Sequence, residues 1–418
     1  MDLVESTLNW IKNRHGNEID FVVYTGDSAR HDADNKIRRT RKEIYDTNQA
    51  VASLMLNTFS HLRKHPNQTV PVIPTFGNND IYPHNILHGG SEGRRVFEKF
   101  WDIWHPFIPE NQRHIFVNGG YFANHVVPGH LKVISLNTMY FYNSNAAVNS
   151  CRKKSSPGHK QLKWLELELK QAKQQRMKVI LIGHVPPSRK AYYNSCLQRY
   201  SELALEYSEI ISNHLYGHMN MDHFIVIGDD GTEIAETDGN IEVMSDMVTI
   251  NRNIPKYLNA LRESYRSVSH ISGKAKHAII NVSPSIIPEM NPTYRIFRYD
   301  SNQSDIAFGN MYGYTQWYSN LTFWNQNQPD TISTNRLNAQ ISPDTLNTNY
   351  AQSYKLPYIE YEIEYDTFND YRMPDLTINS WLELATTLSG NDVASAEFWQ
   401  LYTSRMFVLS LDPDDMAA

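Results

Sequence analysis

Long apolar runs are absent from this chain of 418 residues, and this absence limits how it could meet a membrane. No stretch approaches the roughly 18 apolar residues that a transmembrane helix needs. The first residues, Met1-Asp2-Leu3-Val4-Glu5, are acidic and polar, unlike a secretory signal peptide. No internal repeat is visible. Hydrophobic residues nevertheless make up 41% of the chain, which is enough for the core of one large domain or two.

Apolar periodicity indicates helices and strands in alternation along the first half of the chain. Helical stripes are expected near 3–13, 40–62, 96–101 and 162–169, and buried strands near 21–24, 70–76, 131–136, 179–182 and 214–216. This alternation predicts an α/β fold of layered sheets flanked by helices.

Four of the strand-like runs end in a glycine that is followed by a polar side chain. The pairs are Gly26-Asp27, Gly77-Asn78, Gly183-His184 and Gly217-His218. Glycine permits a tight turn and close backbone approach, and strand ends are where α/β folds bind ligands. One carboxylate, one amide and two imidazoles form a donor set suited to Mn, Fe, Zn or Co. Any one such pair is uninformative, since Gly-Asp and Gly-His also occur in ordinary surface turns.

The ordered blocks TGDSARHD, GNNDIYPHN, GHVPP and LYGHMNMDHF resemble the calcineurin-like metallophosphoesterases. Within that family they are most similar to the fungal vacuolar endopolyphosphatases, and more distantly to acid sphingomyelinase. The resemblance implies a metallophosphoesterase sandwich of mixed sheets. It also implies that Asp27 bridges two metals and that Asn78, His184 and His218 complete one metal site. Asp80 would orient a neighbouring donor, although an Asp here could simply stabilise the turn.

Two departures from the family pattern concern catalysis. Asn79 stands where phosphomonoesterases have a general-acid His, and an amide cannot protonate a leaving alkoxide. Phosphate leaving from an anhydride has a pKa of about 6 to 7 and does not need that proton, so Asn79 favours phosphoanhydride substrates. Asn220 replaces the last His of the GHxH block, and His223 is a candidate to compensate for it. His31 corresponds to a substrate-facing His of the family, or is a solvated loop residue.

No Asp-x-His block precedes Asp27, although the family takes ligands of the first metal from such a block. We therefore expect one complete metal site and one nearly empty site. We also expect the first strand of the sheet to be missing, which would leave a groove with unpaired backbone groups. The chain as written is then expected to be an incomplete enzyme that lacks an upstream anchor and strand, with little activity of its own.

Basic residues follow the Asp27 loop although the net charge is −6. A local positive field can steer an anion despite an opposite overall charge. We therefore expect Arg30, Arg38 and Arg39 to bind a polyanion, the alternative being a solvated surface balanced by nearby carboxylates. No nucleic-acid partner is expected.

The resemblance, together with cysteine usage and sequons, favours a vacuolar or lysosomal lumen, or secretion. The two cysteines, Cys151 and Cys196, lie in polar stretches expected to be loops on either side of one helix–strand unit. A disulfide between them would close a loop of about 45 residues and contribute on the order of 4 kcal/mol. Sequons for N-glycosylation occur at Asn67, Asn281, Asn302 and Asn320.

The composition divides the chain into four parts. We expect residues 1–228 to form the N-terminally incomplete metallophosphoesterase core that the resemblance implies, 229–255 an acidic surface linker, 256–300 a closing helix and strands of the core, and 301–418 a polar, irregular extension dotted with aromatics. Three functions follow from these observations. The first is metal-dependent hydrolysis of inorganic polyphosphate, the second a phosphodiesterase similar to acid sphingomyelinase, and the third an inactive glycoprotein that binds polyanions.

Overall fold

The computed structural model describes residues 1–32, 36–60, 69–228, 254–269, 276–287, 289–302, 308–326 and 359–411. Within these ranges, no helix is long and apolar enough to cross a membrane. In the described part of the chain the strands form three sheets, and helices pack around them, which confirms the predicted α/β fold.

The first sheet has two short parallel strands, and each strand follows an amphipathic helix. Helix α1 (Asp2–His15) precedes β1 (Val22–Tyr24), and α2 (Arg41–Phe59) precedes β2 (Val72–Pro74). The predicted stripe of α1 is confirmed, since Leu8 and Ile11 are buried. Strand β2 is fully buried, whereas β1 is only half-buried.

The second sheet has six strands and forms the centre of the core. Its order is β3-β4-β5-β6-β8-β7, in which β4, β5, β6 and β8 are parallel and the two outer strands are antiparallel. Residues of the parallel strands are buried almost throughout, because apolar material covers both faces. The strands are β3 (Phe122–Val127), β4 (Leu131–Ser135), β5 (Lys178–Ile182), β6 (Ile211–Tyr216), β7 (His223–Gly228) and β8 (His277–Val282); the helices are α3 (Gly90–Trp104), α4 (Arg113–Gly119), α5 (Pro157–Gln174), α6 (Asn194–Glu206) and α7 (Ile254–Ser269).

Side chains connect these two sheets at the ends of β2 and β4. Ser135 Oγ donates a hydrogen bond to the Pro74 carbonyl at 2.6 Å, and Thr75 Oγ1 donates to the Leu136 carbonyl at 2.7 Å. The loop after β2 is therefore held against the edge of the large sheet at which its parallel strands end.

The C-terminal part is more regular than its composition predicts. Three antiparallel strands, in the order β11-β10-β9, form a third sheet. The prediction of an irregular extension is thus wrong for 308–326 and 359–411, where buried aromatics provide a core; 327–358 and the predicted linker from 229 to 253 lie outside the described residues. The elements are β9 (Thr293–Tyr299), β10 (Met311–Tyr318), α8 (Leu321–Gln326), β11 (Glu362–Asp366), α9 (Thr367–Tyr371), α10 (Ile378–Ser389) and α11 (Val393–Met406).

The predicted disulfide between Cys151 and Cys196 is present, with its Cα atoms 4.9 Å apart. The surroundings of the two residues differ from the prediction. Cys196 lies on α6 rather than in a loop, and both residues are buried. The bond therefore joins α6 to the segment before α5 from inside the fold.

Candidate metal centre

Four loops bring the predicted ligands to one edge of the sheets. Asp27 follows β1, Asn78 follows β2, His184 follows β5 and His218 follows β6. Each of these strands belongs to a parallel pair, so its carboxyl end lies at the same edge as that of its neighbour. Each of the four strands ends two to four residues before its predicted ligand.

Two features of the backbone place the Asp27 carboxylate. Asp27 itself has a left-handed backbone with φ 62°, directly after Gly26 with φ 91°. At Gly77, a Cβ atom would lie 1.9 Å from Asp27 Oδ1. Any larger residue at position 77 would therefore displace the carboxylate, which explains the glycine before Asn78.

Four donor atoms converge at the centre of the site. His184 Nε2 lies 3.1 Å from Asp27 Oδ2 and 2.9 Å from Asn78 Oδ1. His218 Nδ1 lies 2.9 Å from the same Asn78 oxygen and 3.2 Å from His184 Nε2. These four residues, which the sequence predicted, thus form one compact cluster, and the ring of Tyr142 packs edge-on against His218 at 5.5 Å.

The hydrogen bonds around the cluster fit it for a divalent cation. His184 Nδ1 donates to the Thr25 carbonyl at 2.7 Å, so Nδ1 carries a proton and Nε2 is the ring atom that faces the cluster. Asp27 Oδ2 and Asn78 Oδ1 present lone pairs at this point. Oxygen and nitrogen atoms this close together need a proton or a cation between them, and this donor set suits a divalent transition metal.

Burial and mutual charge set the protonation of the cluster. Burial alone would raise the pKa of Asp27, but the His184 and His218 rings outweigh this effect and lower the pKa to about 2. Burial lowers the pKa of His218 to about 3. The cluster therefore offers an ionised carboxylate and a neutral imidazole at His218. At His184 burial lowers the pKa, but the Asp27 carboxylate outweighs burial and raises it, so a metal must displace a proton from this ring.

Asn79 contacts the Asp27 carboxylate directly. Its backbone N–H donates to Asp27 Oδ1 and its side-chain amide donates to Asp27 Oδ2, both at 2.8 Å. The amide nitrogen is thus engaged, and the buried Oδ1 has no partner among the described residues. Asn79 adds one free acceptor next to the metal ligands.

Asp80 holds two loops together through hydrogen bonds and is not one of the clustered ligands. Its Oδ2 accepts from the backbone N–H groups of Asp27 and Gly77 at 2.9 and 3.0 Å, and its Oδ1 accepts from Ala29 N–H and Asn48 Nδ2. Burial and the nearby Asp27 charge raise its pKa. One buried carboxylate therefore joins the two loops that carry Asp27 and Asn78, so its turn-stabilising and donor-orienting roles are one role.

Two of the predicted substrate-binding arginines have structural partners. Arg39 is buried, and its guanidinium donates to the carbonyls of Arg30, Asn79 and Ile81. Arg30 is paired with Glu43, with Nε 2.6 Å from Oε1. The prediction that Arg39 binds substrate is therefore corrected: it supports the loop after β2. Arg38 is exposed and remains a candidate.

Three further residues were predicted to belong to the site: His31, His223 and Asn220. His31 is half-exposed and packs against His84, with ring centroids 4.8 Å apart. His223 is buried at the start of β7, where its ring contacts Tyr257 and the Met221 carbonyl. This placement corrects the idea that His223 replaces a missing ligand, since its contacts are with core residues. Asn220 follows His218 with φ 55°, and its role as a ligand stays a prediction.

One sequon is incompatible with a surface role. Asn281 lies buried within β8, and its amide donates to Asn213 Oδ1 at 2.7 Å. A glycan there is therefore excluded in the folded protein. Asn302 and Asn320 are exposed and stay predictions, while Asn67 lies outside the described residues.

The sequence analysis missed His84 and Asn85, which contact Asn78, and Asn48, which contacts Asp80. Asn78 Nδ2 contacts His84 Nε2 at 2.9 Å and Asn85 Oδ1 at 3.0 Å. The signal available in the sequence was the His84-Asn85 pair, which begins only six residues after Asn78 within the block GNNDIYPHN. A polar pair so close to a ligand on a short loop can fold back onto it.

Comparison with known proteins points in the same direction as this geometry. A family model described as calcineurin-like phosphoesterase matches residues 2–221. Proteins named endopolyphosphatase are similar to this chain: one from Cryptococcus neoformans is 39% identical over 338 residues (75% of this chain, 48% of that protein), and one from Debaryomyces hansenii is 45% identical over 231 residues (54% and 32%). A third, from Schizosaccharomyces pombe, is 31% identical over 447 residues (93% and 74%). The chain spans about half or less of the length of the first two relatives.

Proposed function

Because the chain belongs to the calcineurin-like phosphoesterase family, we propose that it hydrolyses phosphoanhydride bonds within inorganic polyphosphate. The observation that supports this most directly is the convergence of Asp27, Asn78, His184 and His218 on one point. The relatives named endopolyphosphatase support the choice of substrate. The buried disulfide supports an oxidising location such as a vacuolar lumen.

The four clustered residues would hold one divalent cation, which when bound activates water and offsets charge on the phosphoryl oxygens. The protein itself supplies orientation. Thr25 fixes the tautomer of His184, Asp80 fixes the two loops, and the Asn79 amide holds the Asp27 carboxylate. The free acceptor on Asn79 can orient a water or a protonated phosphate oxygen. The amide of Asn79 cannot protonate a leaving alkoxide, so anhydride substrates are favoured.

Basic side chains beside the loops that carry Asp27 and Asn78 could bind the part of a polyphosphate chain that extends beyond the metal centre. A cavity of about 560 Å³ opens next to Asp80, and its lining includes Arg41, Arg95 and Lys99. Arg41 lies over the ring of Tyr82, 5.3 Å from the ring centroid. These cations come from α2 and α3, and a basic wall of this kind attracts an anion even though the chain is acidic overall.

The proposal is tested with the purified chain, long-chain polyphosphate and Mn²⁺. We expect shortening of the chains from within, seen on gels, and about one equivalent of retained metal after dialysis. Replacing Asp27 by Asn should lower turnover by more than about 100-fold, since losing a residue that only supports ligands costs about 10- to 100-fold. Sphingomyelin serves as the control substrate and should remain intact. Faster hydrolysis of sphingomyelin than of polyphosphate would refute the choice of substrate.

A further inference from the structure

Three side chains outside the cluster lie close enough together to resemble a second metal site. Donor atoms of His31, Asp32 and His84 all lie within 4.8 Å of one another. Asp32 Oδ1 is 3.1 Å from His84 Nδ1 and 3.4 Å from His31 Nδ1. Next to this group, His84 Nε2 meets the amide of the metal ligand Asn78. His84 could therefore either bind a metal with Asp32 or position the amide of Asn78.

The hydrogen bonds of Asn78 decide its orientation. Its Oδ1 faces His184 and His218, so the other end of the amide is the NH₂ group. That group has two N–H bonds, and two acceptors are present: His84 Nε2 at 2.9 Å and Asn85 Oδ1 at 3.0 Å. Both protons of the amide are therefore used, and its oxygen is left for the metal.

This arrangement also decides the tautomer of His84. A nitrogen that accepts from Asn78 carries no proton, so the ring proton must be on Nδ1. Nδ1 faces Asp32 Oδ1 at 3.1 Å, which is an N–H···O distance. A metal on Nδ1 would force the proton onto Nε2, where it would oppose the N–H of Asn78. His84 thus cannot bind a metal while Asn78 presents its oxygen to the first site.

We infer that Asp32 and His84 form a positioning relay, in which Asp32 sets the tautomer of His84 and His84 holds the Asn78 amide with its oxygen on the metal. The relay rests on the metal centre and not on the identity of the substrate. Replacing a residue that hydrogen-bonds a metal ligand usually weakens metal affinity by about 10- to 100-fold. His84 is a positioning residue, because it contacts a ligand and not the metal.

The test is a calorimetric titration of the apo-protein with Mn²⁺, with the Co²⁺ absorption spectrum as a second readout. His84→Ala should weaken the first equivalent by about 10- to 100-fold and change the Co²⁺ spectrum. His84→Gln should restore most of the affinity, because the Gln oxygen can accept from Asn78. Asp32→Asn should keep the affinity within a few-fold, since an amide oxygen still accepts from Nδ1, whereas Asp32→Ala should weaken it.

The matched control is His88→Ala on the same loop, where the half-exposed ring contacts Glu92 on the surface; this variant should bind Mn²⁺ as the wild type does. Two results would overturn the relay. One is unchanged affinity in His84→Ala. The other is loss of a second bound equivalent in Asp32→Asn with the first retained, which would make the group a metal site. If His84→Ala fails to fold, the Gln and Asp32 variants still decide between these outcomes.

Discussion

At the scale of single residues, Asn79 is the position that most separates anhydride from ester chemistry. Its amide holds Asp27 at 2.8 Å and has no proton to give to a leaving group. Asn79→His should therefore raise turnover on phosphodiesters with poor leaving groups by about 100-fold, the low end of what general-acid catalysis contributes, and change polyphosphate turnover less. Asn79→Ala is the control, since it removes the amide without adding an acid. Equal gains on both substrates, measured by phosphate release, would contradict the argument.

At the scale of elements, the sequence predicts what is local and misses what is long-range. The stripe of α1 and the four strands that end in glycine follow from periodicity and turn chemistry, and the four candidate ligands follow from the polar residues after those glycines and from the family resemblance. The contact of Asp222 with β9 and β11 could not, because it joins residues far apart in the chain. Asp222 pairs with Arg295 and accepts from Tyr365, while its backbone N–H bonds the Met406 carbonyl at 2.9 Å. The C-terminal sheet thereby braces the loop that carries His218.

This brace gives an element-scale prediction. Arg295 and Asp222 are both nearly inaccessible, with side chains 5% and 8% exposed. Arg295→Met should lower the free energy of unfolding by about 3–5 kcal/mol, because it leaves a buried carboxylate unpaired. The exposed pair Arg199–Glu166, with side chains 36% and 41% exposed, is the control; Arg199→Met should cost no more than about 1 kcal/mol. Urea unfolding measures both, and similar losses in the two variants would show that the buried pair does not brace the fold.

At the scale of the whole molecule, buried histidine links stability to pH. His214 lies inside β6, bonded to Tyr200 Oη at 2.7 Å, and burial lowers its pKa to about 3. In the unfolded chain the ring has its ordinary pKa of about 6.5. Below that pH the unfolded state binds a proton that the folded state does not, so stability falls as the solution is acidified.

The size of this effect can be tested at one residue. Between pH 7 and pH 5, His214 should account for a loss of about 2 kcal/mol in the free energy of unfolding. His214→Gln cannot titrate, so the variant should lose about 2 kcal/mol less over this range than the wild type, whatever its stability at pH 7. Urea unfolding of both proteins at both pH values provides the comparison, since the two proteins share every other titrating group. Parallel pH profiles for the wild type and His214→Gln would mean that His214 already accepts its proton in the folded protein.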